Sequence, residues 1–592
     1  MKERISGNTK ADILAFDFRT RTDEKTNLGG VASIWLASLI GDDCEESCTT
    51  IESFVDLIFE RSKSGNICLY CFDLGFHWSF IIYELFKRGY QYTKRIRKDS
   101  VKKFNVFCTS NASVVYSAMI RTSKANGIIF FKDLKQVYAG YRSIDQMAES
   151  FKSQRQFFPD DLEKEHPEGG EPTEREITNC KSRAGFVFDV LKRQENDPSF
   201  FQSFTLASYS VRKAILHAFG HLNSPYMAYR SLKMYPRIVD EEEEAALRAS
   251  IKGGLTGPTI RAIDEGFNIE KRLFILDRTQ SYPSEMRFSQ LPRGRGVKFE
   301  GFQIGGGIRL YKVQVNSYDG VKIHSLPTLM QSHLHFMPWG SEPIILWLWE
   351  WEYFYAYNCY INLDCEVLGG YLYKKGKCPF GSYVEKNQEE RRQREKEGDY
   401  IQAAHLKALN VSLYGKLIQR KTKDTITQTL DEETGLAITE RKERDEEKES
   451  SYVYTPAGSA IPSLARWHLL LLAEEFGYEN IVYVETDSLI VIANEKTEKV
   501  LEGLELKKEL GFWHMEATAV KAYFPMAKRY KYQTDRGETV VKGAGIDRSA
   551  FSGYYENIKI TDTKIIMRQK KPTMGGTLLI KISKTLKGEK EA

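Results

Sequence analysis

Two segments of this chain end in carboxylates. Arg272-Leu-Phe-Ile-Leu-Asp277 is an apolar run closing on an aspartate. Ile481-Val-Tyr-Val-Glu485-Thr486-Asp487-Ser488 is a second, with two carboxylates two positions apart. Apolar runs of this length read as buried strands, and residues two apart on a strand share a face. Three carboxylates gathered at adjoining strand ends can hold two divalent cations about 4 Å apart, the arrangement used for nucleotidyl transfer. Hard oxygen donors favour Mg²⁺ or Mn²⁺. Alone, Glu-Thr-Asp-Ser is equally a strand running into a turn.

Other segments accompany them in order. Asp277 is followed by Arg278-Thr279-Gln280-Ser281-Tyr282-Pro283-Ser284. Between the carboxylate runs lies Lys407-Ala-Leu-Asn410-Val411-Ser412-Leu-Tyr414-Gly415, and after them comes Lys528-Arg529-Tyr530. This set resembles the family B DNA polymerases: their motif A (Asp-x-x-Ser-Leu-Tyr-Pro-Ser), motif B (Lys-x-x-x-Asn-Ser-x-Tyr-Gly), motif C (Tyr-x-Asp-Thr-Asp-Ser) and Lys-x-Tyr. Lys252-Gly253-Gly254 sits where the protein-primed branch of bacteriophages and linear plasmids has Tyr-x-Gly-Gly, and Val541-Lys-Gly-Ala-Gly545 resembles its last palm segment. The resemblance implies roles. Asp277 and Asp487, with Glu485, would ligate two Mg²⁺ or Mn²⁺ ions. Lys407, Tyr282, Tyr414 and Ser281 would line the nucleotide site. Lys528, Tyr530, Lys252, Gly253 and Gly254 would hold primer and template.

The chain departs from the family pattern in places. Gln280-Ser281 replaces Ser-Leu. Val411 stands at the motif B Asn, with Asn410 one position earlier and so about 100° away on a helix. Glu485 replaces an Asp, one methylene or roughly 1.5 Å longer, which predicts a preference for Mn²⁺. The proofreading motifs depart further. Asp17-Phe18-Arg19 puts a cation at the Glu of Asp-x-Glu, and Asp73-Leu-Gly-Phe-His77 stands for Asn-x-x-x-Asp. Tyr209-Ser-Val-Arg-Lys213 is the match for Tyr-x-x-x-Asp. Such a site lacks the negative charge to bind two cations, so the exonuclease activity is expected to be absent.

The elements that must position these residues follow. The chain has 592 residues, enough for roughly three to five domains. Residues 1–230 alternate short apolar runs with helical patterns, an α/β region expected to be an RNase H-like, exonuclease-type domain. The rest is expected to form a right-hand polymerase, α/β (α+β) in class: first palm part 231–300, first insertion 301–382, fingers 383–417, second insertion 418–452, second palm part 453–558 and thumb 559–592. Charged Val384 to Glu397 and more apolar Tyr400 to about Leu413 read as a helical hairpin. Thr422–Leu430 and Leu436–Glu443 read as a β-hairpin around Asp431–Gly435. Pro159 to Lys181 reads as an exposed loop, Arg444 to Glu449 as a charged tail, and Gly575-Gly576 as a turn.

Composition narrows the class. With 85 Lys and Arg against 80 Asp and Glu the net charge is +5, so any basic surface is local. MKERISGNTK carries no apolar secretory stretch, and no run reaches the 18 residues of a membrane span. Cys44/Cys48 and Cys68/Cys71 allow a zinc site, though buried reduced thiols are the simpler reading. The expected protein is a monomeric, cytoplasmic DNA-directed DNA polymerase acting on primer/template DNA and dNTPs. It would be primed by a terminal protein and replicate a phage or linear element. The alternatives are a weakened polymerase fold serving as a nucleic-acid scaffold, and a template-loose nucleotidyl transferase.

Overall fold

The computed structural model describes residues 1–592 except 7–8, 23–30, 109–113, 139–140, 142, 159–170, 220–237, 239, 318–319, 322–342, 362, 420–423, 431–436, 444–452, 544–563, 574–575 and 586–592. The turn at Asp431–Gly435, most of the 159–181 loop, the Arg444–Glu449 tail, Gly545 and Gly575 lie outside the described residues.

The N-terminal region is built on β1 (Thr9–Thr22), β2 (Val31–Gly41), β3 (Ile67–Cys71), α1 (Leu74–Lys87), β4 (Ile128–Asp133), α2 (Glu174–Arg193) and α3 (Leu206–Phe219). β1 pairs parallel with β3 and β3 parallel with β4, while β2 runs antiparallel to β1. Parallel strands are buried on both faces, and all five residues of β3 are buried. Cys68 and Cys71 fall into different hydrophobic clusters on the two sides of this strand, so they cannot share a metal ion. α2 opens on a capping box between Thr173 and Glu176 and packs over β1 and β2.

The palm segments contribute β5 (Thr256–Pro258), β6 (Leu273–Arg278) and α4 (Ser281–Phe288). A second sheet follows, of β7 (Leu291–Glu300), β8 (Ile308–Ser317), β9 (Ile344–Trp349) and β10 (Asp364–Gly376), in the order β7-β10-β8-β9. That sheet starts at Leu291, ahead of the boundary drawn at 300, because β7 leaves α4 and pairs directly with β10. A helical hairpin comes next: α5 (Gly381–Lys396) and α6 (Tyr400–Leu417). Gly398, at φ 76°, makes the turn between them, and the Asp399 side chain caps α6. α6 continues past the expected Leu413 to Leu417.

After the hairpin β11 (Asp424–Leu430) and β12 (Ala437–Glu443) comes α7 (Thr455–Phe476). Then follow β13 (Ile481–Glu485), β14 (Ser488–Ile492), β15 (Trp513–Met526), β16 (Arg529–Thr534) and β17 (Thr539–Gly543). The palm sheet runs β5-β13-β14-β6-β15-β16-β17. β13, β14 and β6 are apolar except at their site ends because both faces are covered. Leu276, Val484, Leu489 and Val491 pack on α7, and Ile275, Val482 and Ile490 pack on Tyr530 and Tyr532. A last hairpin, β18 (Lys564–Thr573) and β19 (Gly576–Thr585), adds to the edge of the N-terminal sheet through Thr577 and Leu578 against β2.

The N-terminal region holds the inserted hairpins in place. Trp78 Nε1 of α1 donates to Gln428 Oε1 of β11 at 3.0 Å, in a buried contact. Leu406 and Leu409 of α6 enter the N-terminal core. Ser210 Oγ of α3 donates to the Leu409 carbonyl at 2.8 Å. His405 stacks on Tyr138 with ring centroids 4.8 Å apart, and burial pushes its imidazole down to about 4, so it is neutral at physiological pH. Leu409→Ala should therefore cost about 2–5 kcal/mol in chemical denaturation. A cost below about 1 kcal/mol would mean that α6 does not lean on the N-terminal core.

Candidate active site

Register brings the carboxylates together. β6 lies between β14 and β15, with Asp277 opposite Ser488 on one side and His514 on the other. β13 and β14 join through a two-residue turn: Glu485 pairs with Ser488, and Thr486 and Asp487 form the tip. Thr486 has φ 32°, so the chain reverses there. Asp487 thus sits in a turn and not on the strand face expected for it beside Glu485. Its carbonyl accepts from the Arg278 amide at 2.7 Å, which ties the turn to the end of β6. Ser488 Oγ donates to Asp277 Oδ2 at 3.1 Å.

The turn needs room behind it. A Cβ on Gly254 would lie 2.5 Å from Thr486 Cγ2, so only glycine fits there. The Thr486 amide also donates to the Leu255 carbonyl at 2.6 Å. Gly253-Gly254 therefore supports the carboxylate turn. Lys252 corrects its expected role in primer or template binding. Its side chain points inward, 8% exposed, towards Glu352 and Arg466, and burial pushes the ammonium down to about 8. Arg466 Nη1 donates to the carbonyls of both Lys252 and Gly253 and pairs with Glu352. The Lys252 Nζ is buried, has no hydrogen-bond partner among the described residues and does not reach a DNA backbone.

The carboxylates open into a cleft of about 1340 Å³, lined also by Lys407, Lys528, Tyr530 and His514. Burial, with Asp277 close by, pushes Asp487 up to about 7. Burial raises Asp277 as well, against the opposing pull of His514 and Ser488. The lining is rich in cations, Arg391, Arg392 and Lys396 of α5, Lys407 of α6, and Lys507 and Lys508, of which Arg391 pairs with Glu395 and Arg392 with Glu509. The α5 cations were missed in the sequence, where Val384 to Glu397 reads as a solvated face. The signal was available, because a helix antiparallel to the one carrying Lys407 presents its own charges to the same cleft. Glu485 faces the other end. Its Oε2 accepts from Tyr483 OH at 3.2 Å, and the same hydroxyl accepts the Lys528 amide at 2.7 Å. Lys528 has φ 60°, the bend that turns Tyr530 back onto Tyr483, with centroids 4.7 Å apart.

Tyr282 and Tyr414 meet edge to face, with centroids 4.7 Å apart, joining α4 to α6. Ser281 is buried and accepts from Arg278 Nη1 at 3.3 Å. The departures at Gln280 and Asn410 meet in the interior. Asn410 Nδ2 lies 3.2 Å from Gln280 Oε1, Asn387 Nδ2 donates to Asn410 Oδ1 at 2.8 Å, and Gln280 bonds Gln388. Val411 faces outward, 39% exposed.

A second constellation lies on the N-terminal sheet. Asp17 Oδ1 is 3.2 Å from His77 Nε2, and His77 Nδ1 donates to the Asp73 carbonyl at 2.9 Å. Asp73 opens α1 at φ 71° and pairs with Lys135. Arg19 is buried on the same strand as Asp17. Lys213 is not here, which corrects the expected third motif. It sits on α3, which packs on α6, and pairs with Asp197 at 3.1 Å. The helix over β1 is α2, and it supplies Arg183, whose Nε lies 3.1 Å from Asp17 Oδ2 and whose Nη1 is 2.9 Å from Asp145.

Burial works to raise the Asp17 carboxyl, but Arg183 and then His77 outweigh it and hold it at about 2. The folded value lies below the unfolded one. The stabilisation is therefore complete above about pH 4 and lost as pH falls towards 2. Asp17→Asn should cost about 3 kcal/mol at pH 7, because it strips Arg183 of a buried partner. In urea denaturation the gap to wild type should shrink by pH 3. An equal gap at both values would show that the pair carries no charge coupling.

The comparisons agree with this geometry. A family model described as "DNA polymerase type B, organellar and viral" matches residues 190–498. The DNA polymerase of Bacillus phage B103 is 25% identical over 313 residues, 50% of this chain and 51% of that protein. The chain thus spans about half the length of such relatives in sequence alignment. The DNA polymerase of Streptococcus phage Cp-1 is 32% identical over 144 residues, 24% of each chain. The solved structure of Phi29 DNA polymerase with primer-template DNA and incoming nucleotide superposes with a TM-score of 0.80 at 19% identity. It covers 98% of this chain and 100% of that one. At that identity the likeness speaks for the fold: palm, fingers and thumb preceded by an exonuclease-type domain. With its carboxylate strands, helical hairpin and α7 all inside the matched residues, the chain belongs to the type B DNA polymerases of the organellar and viral kind.

Proposed function

We propose that this chain is a DNA-directed DNA polymerase working by two-metal nucleotidyl transfer, protein-primed, and without proofreading. One observation carries the reading: Asp277 and Asp487, on adjoining strand ends, share a single open cleft with Lys407 and the α5 cations. Among the described residues no three His, Cys, Asp or Glu side chains stand at metal-ligand spacing. Asp277 and Asp487 supply two hard donors, and at Mg²⁺ sites of this kind substrate phosphates commonly complete the shell. Their mutual repulsion is what a cation would relieve, so the residues fit the metal. Glu485 is the third carboxylate. When bound, the ions would polarise the primer hydroxyl and neutralise charge on the leaving pyrophosphate.

The chain's own residues do the rest. Lys407, with Arg391 and Arg392, binds the triphosphate as fixed positive charge. Tyr282, packed on Tyr414, closes the floor beneath the sugar and leaves no space for a 2′-hydroxyl. Lys528 and Tyr530 grip the primer terminus through phosphate contacts. The partners are primer-template DNA, dNTPs and a terminal protein that offers the first hydroxyl. The β11–β12 hairpin, held to α1 by Gln428, would encircle DNA with the first insertion and the β18–β19 thumb.

Two measurements test this. Asp277→Ala and Asp487→Ala should each lower primer extension at least 100-fold while leaving DNA affinity within about threefold. Normal extension by both would end the reading, and wild-type extension without template would favour the template-loose transferase. The pure protein should also leave a single-stranded oligonucleotide intact in Mg²⁺ or Mn²⁺, because Arg183, Arg19 and His77 occupy the ground around Asp17. Progressive 3′ shortening that persists in an Asp277→Ala/Asp487→Ala background would contradict the loss of proofreading.

A further inference from the structure

His514 belongs to none of the motifs and stands at the centre of the cleft. It is the direct cross-strand partner of Asp277, so the two side chains emerge on the same face. Nδ1 lies 3.2 Å from Thr279 Oγ1, and Nε2 lies 3.9 Å from Asp277 Oδ1. The side chain is 18% exposed, open to the cleft and otherwise enclosed.

We propose that His514 is a nitrogen ligand of the divalent cation held at Asp277, its ring oriented by the contact of Nδ1 with Thr279. The inference rests on the polymerase reading of this cleft. At 3.9 Å the imidazole and carboxylate are too far apart to hydrogen bond. Two donors that each bond one cation at about 2.1 Å stand roughly 3–4 Å apart, depending on the angle at the metal. The observed gap is the gap a shared ion fills. Thr279 supplies the other half of the argument. A ring that gives its Nδ1 proton to the Thr279 hydroxyl keeps its lone pair on Nε2, the atom facing Asp277. Orientation of a ligating histidine through its second nitrogen is the usual supporting arrangement at metal sites. Thr279 is itself fixed, because its amide donates to the Phe512 carbonyl at 3.0 Å and its carbonyl accepts the Gly511 amide at 2.9 Å.

The ligand set has a consequence for metal choice. An all-oxygen shell suits Mg²⁺, whereas imidazole suits transition metals better. His514 therefore shifts the site towards Mn²⁺ independently of the length of Glu485. The competing role is an imidazolium that merely offsets the Asp277 charge, and that role would oppose cation binding.

Mn²⁺ is the probe. Pulsed electron paramagnetic resonance of the full chain with Mn²⁺ should show coupling to a directly bonded ¹⁴N. The coupling should change to that of ¹⁵N in protein labelled only at histidine, a control that leaves the fold untouched. His514→Ala should lose the coupling and bind Mn²⁺ at least tenfold more weakly by calorimetry, and Thr279→Val should weaken binding less. Mn²⁺ bound by wild type but not by Asp277→Asn, with no histidine nitrogen coupling, would overturn this proposal alone. Tighter Mn²⁺ binding by His514→Ala would overturn it in favour of the imidazolium. Equal Mn²⁺ binding by wild type, Asp277→Asn and Asp487→Asn would instead overturn the reading of the cleft itself.

Discussion

Two carboxylates that repel each other must be held side by side in a half-buried cleft, and most of the molecule answers to that constraint. Burial raises both carboxyls, and the neighbouring charge of Asp277 raises Asp487 further. A flexible loop would let them part. Here Asp277 ends a strand hydrogen-bonded on both sides, and Asp487 sits in a two-residue turn anchored by Arg278 and Leu255. The packing of Thr486 against Gly254 closes the back of that turn, so even the residue behind the site is chosen by it. The apolar strands beneath are covered on both faces, which gives the rigidity that a repelling pair requires.

The same constraint gives the exonuclease-type domain a structural part in the polymerase site. The cations sharing the cleft sit on α5 and α6, and α6 sends Leu406 and Leu409 into the N-terminal core. Removing that domain would unseat the helix carrying Lys407. Its sheet carries an internal ion-pair network in which Arg183 joins Asp17 to Asp145. A guanidinium fixed between two carboxylates needs no cofactor and keeps α2 seated on β1. The domain reads as a buttress for the polymerase half.

Much of this was legible in the sequence, and the limits were physical. The strand runs ending in Asp277 and Glu485 were readable because burial on both faces leaves uninterrupted apolar stretches. The hairpin 424–443 was readable from its alternation. Arg183 was not found, because Tyr209 matched the expected aromatic while Asn179 did not. Which helix lies over β1 is a tertiary fact that local spacing does not encode. The inward turn of Lys252 was hidden for a related reason: the Glu352 whose charge favours its ammonium and the Arg466 that bonds its carbonyl are about 100 and 200 residues away in sequence. His514 belongs to no motif, and only strand register puts it opposite Asp277.

The departures from the family pattern look like decay one at a time and like a unit when placed in space. Gln280 carries a longer, amide-bearing side chain than the family Ser. Asn410 is a motif B amide displaced by one position, and a displacement of 100° takes it from the cleft face of α6 to its buried face. There it meets Gln280 and Asn387, and Gln280 in turn bonds Gln388. An unpaired buried amide costs about 1–3 kcal/mol, and Asn410 avoids that cost through Gln280, Asn387 and the Val384 carbonyl. The network also spans three elements: the start of α4, the middle of α5 and the middle of α6. It ties the residue just after the Asp277 strand to both helices that carry the cleft cations. The network therefore joins palm and fingers in the interior, and the two walls of the site stay in register through it.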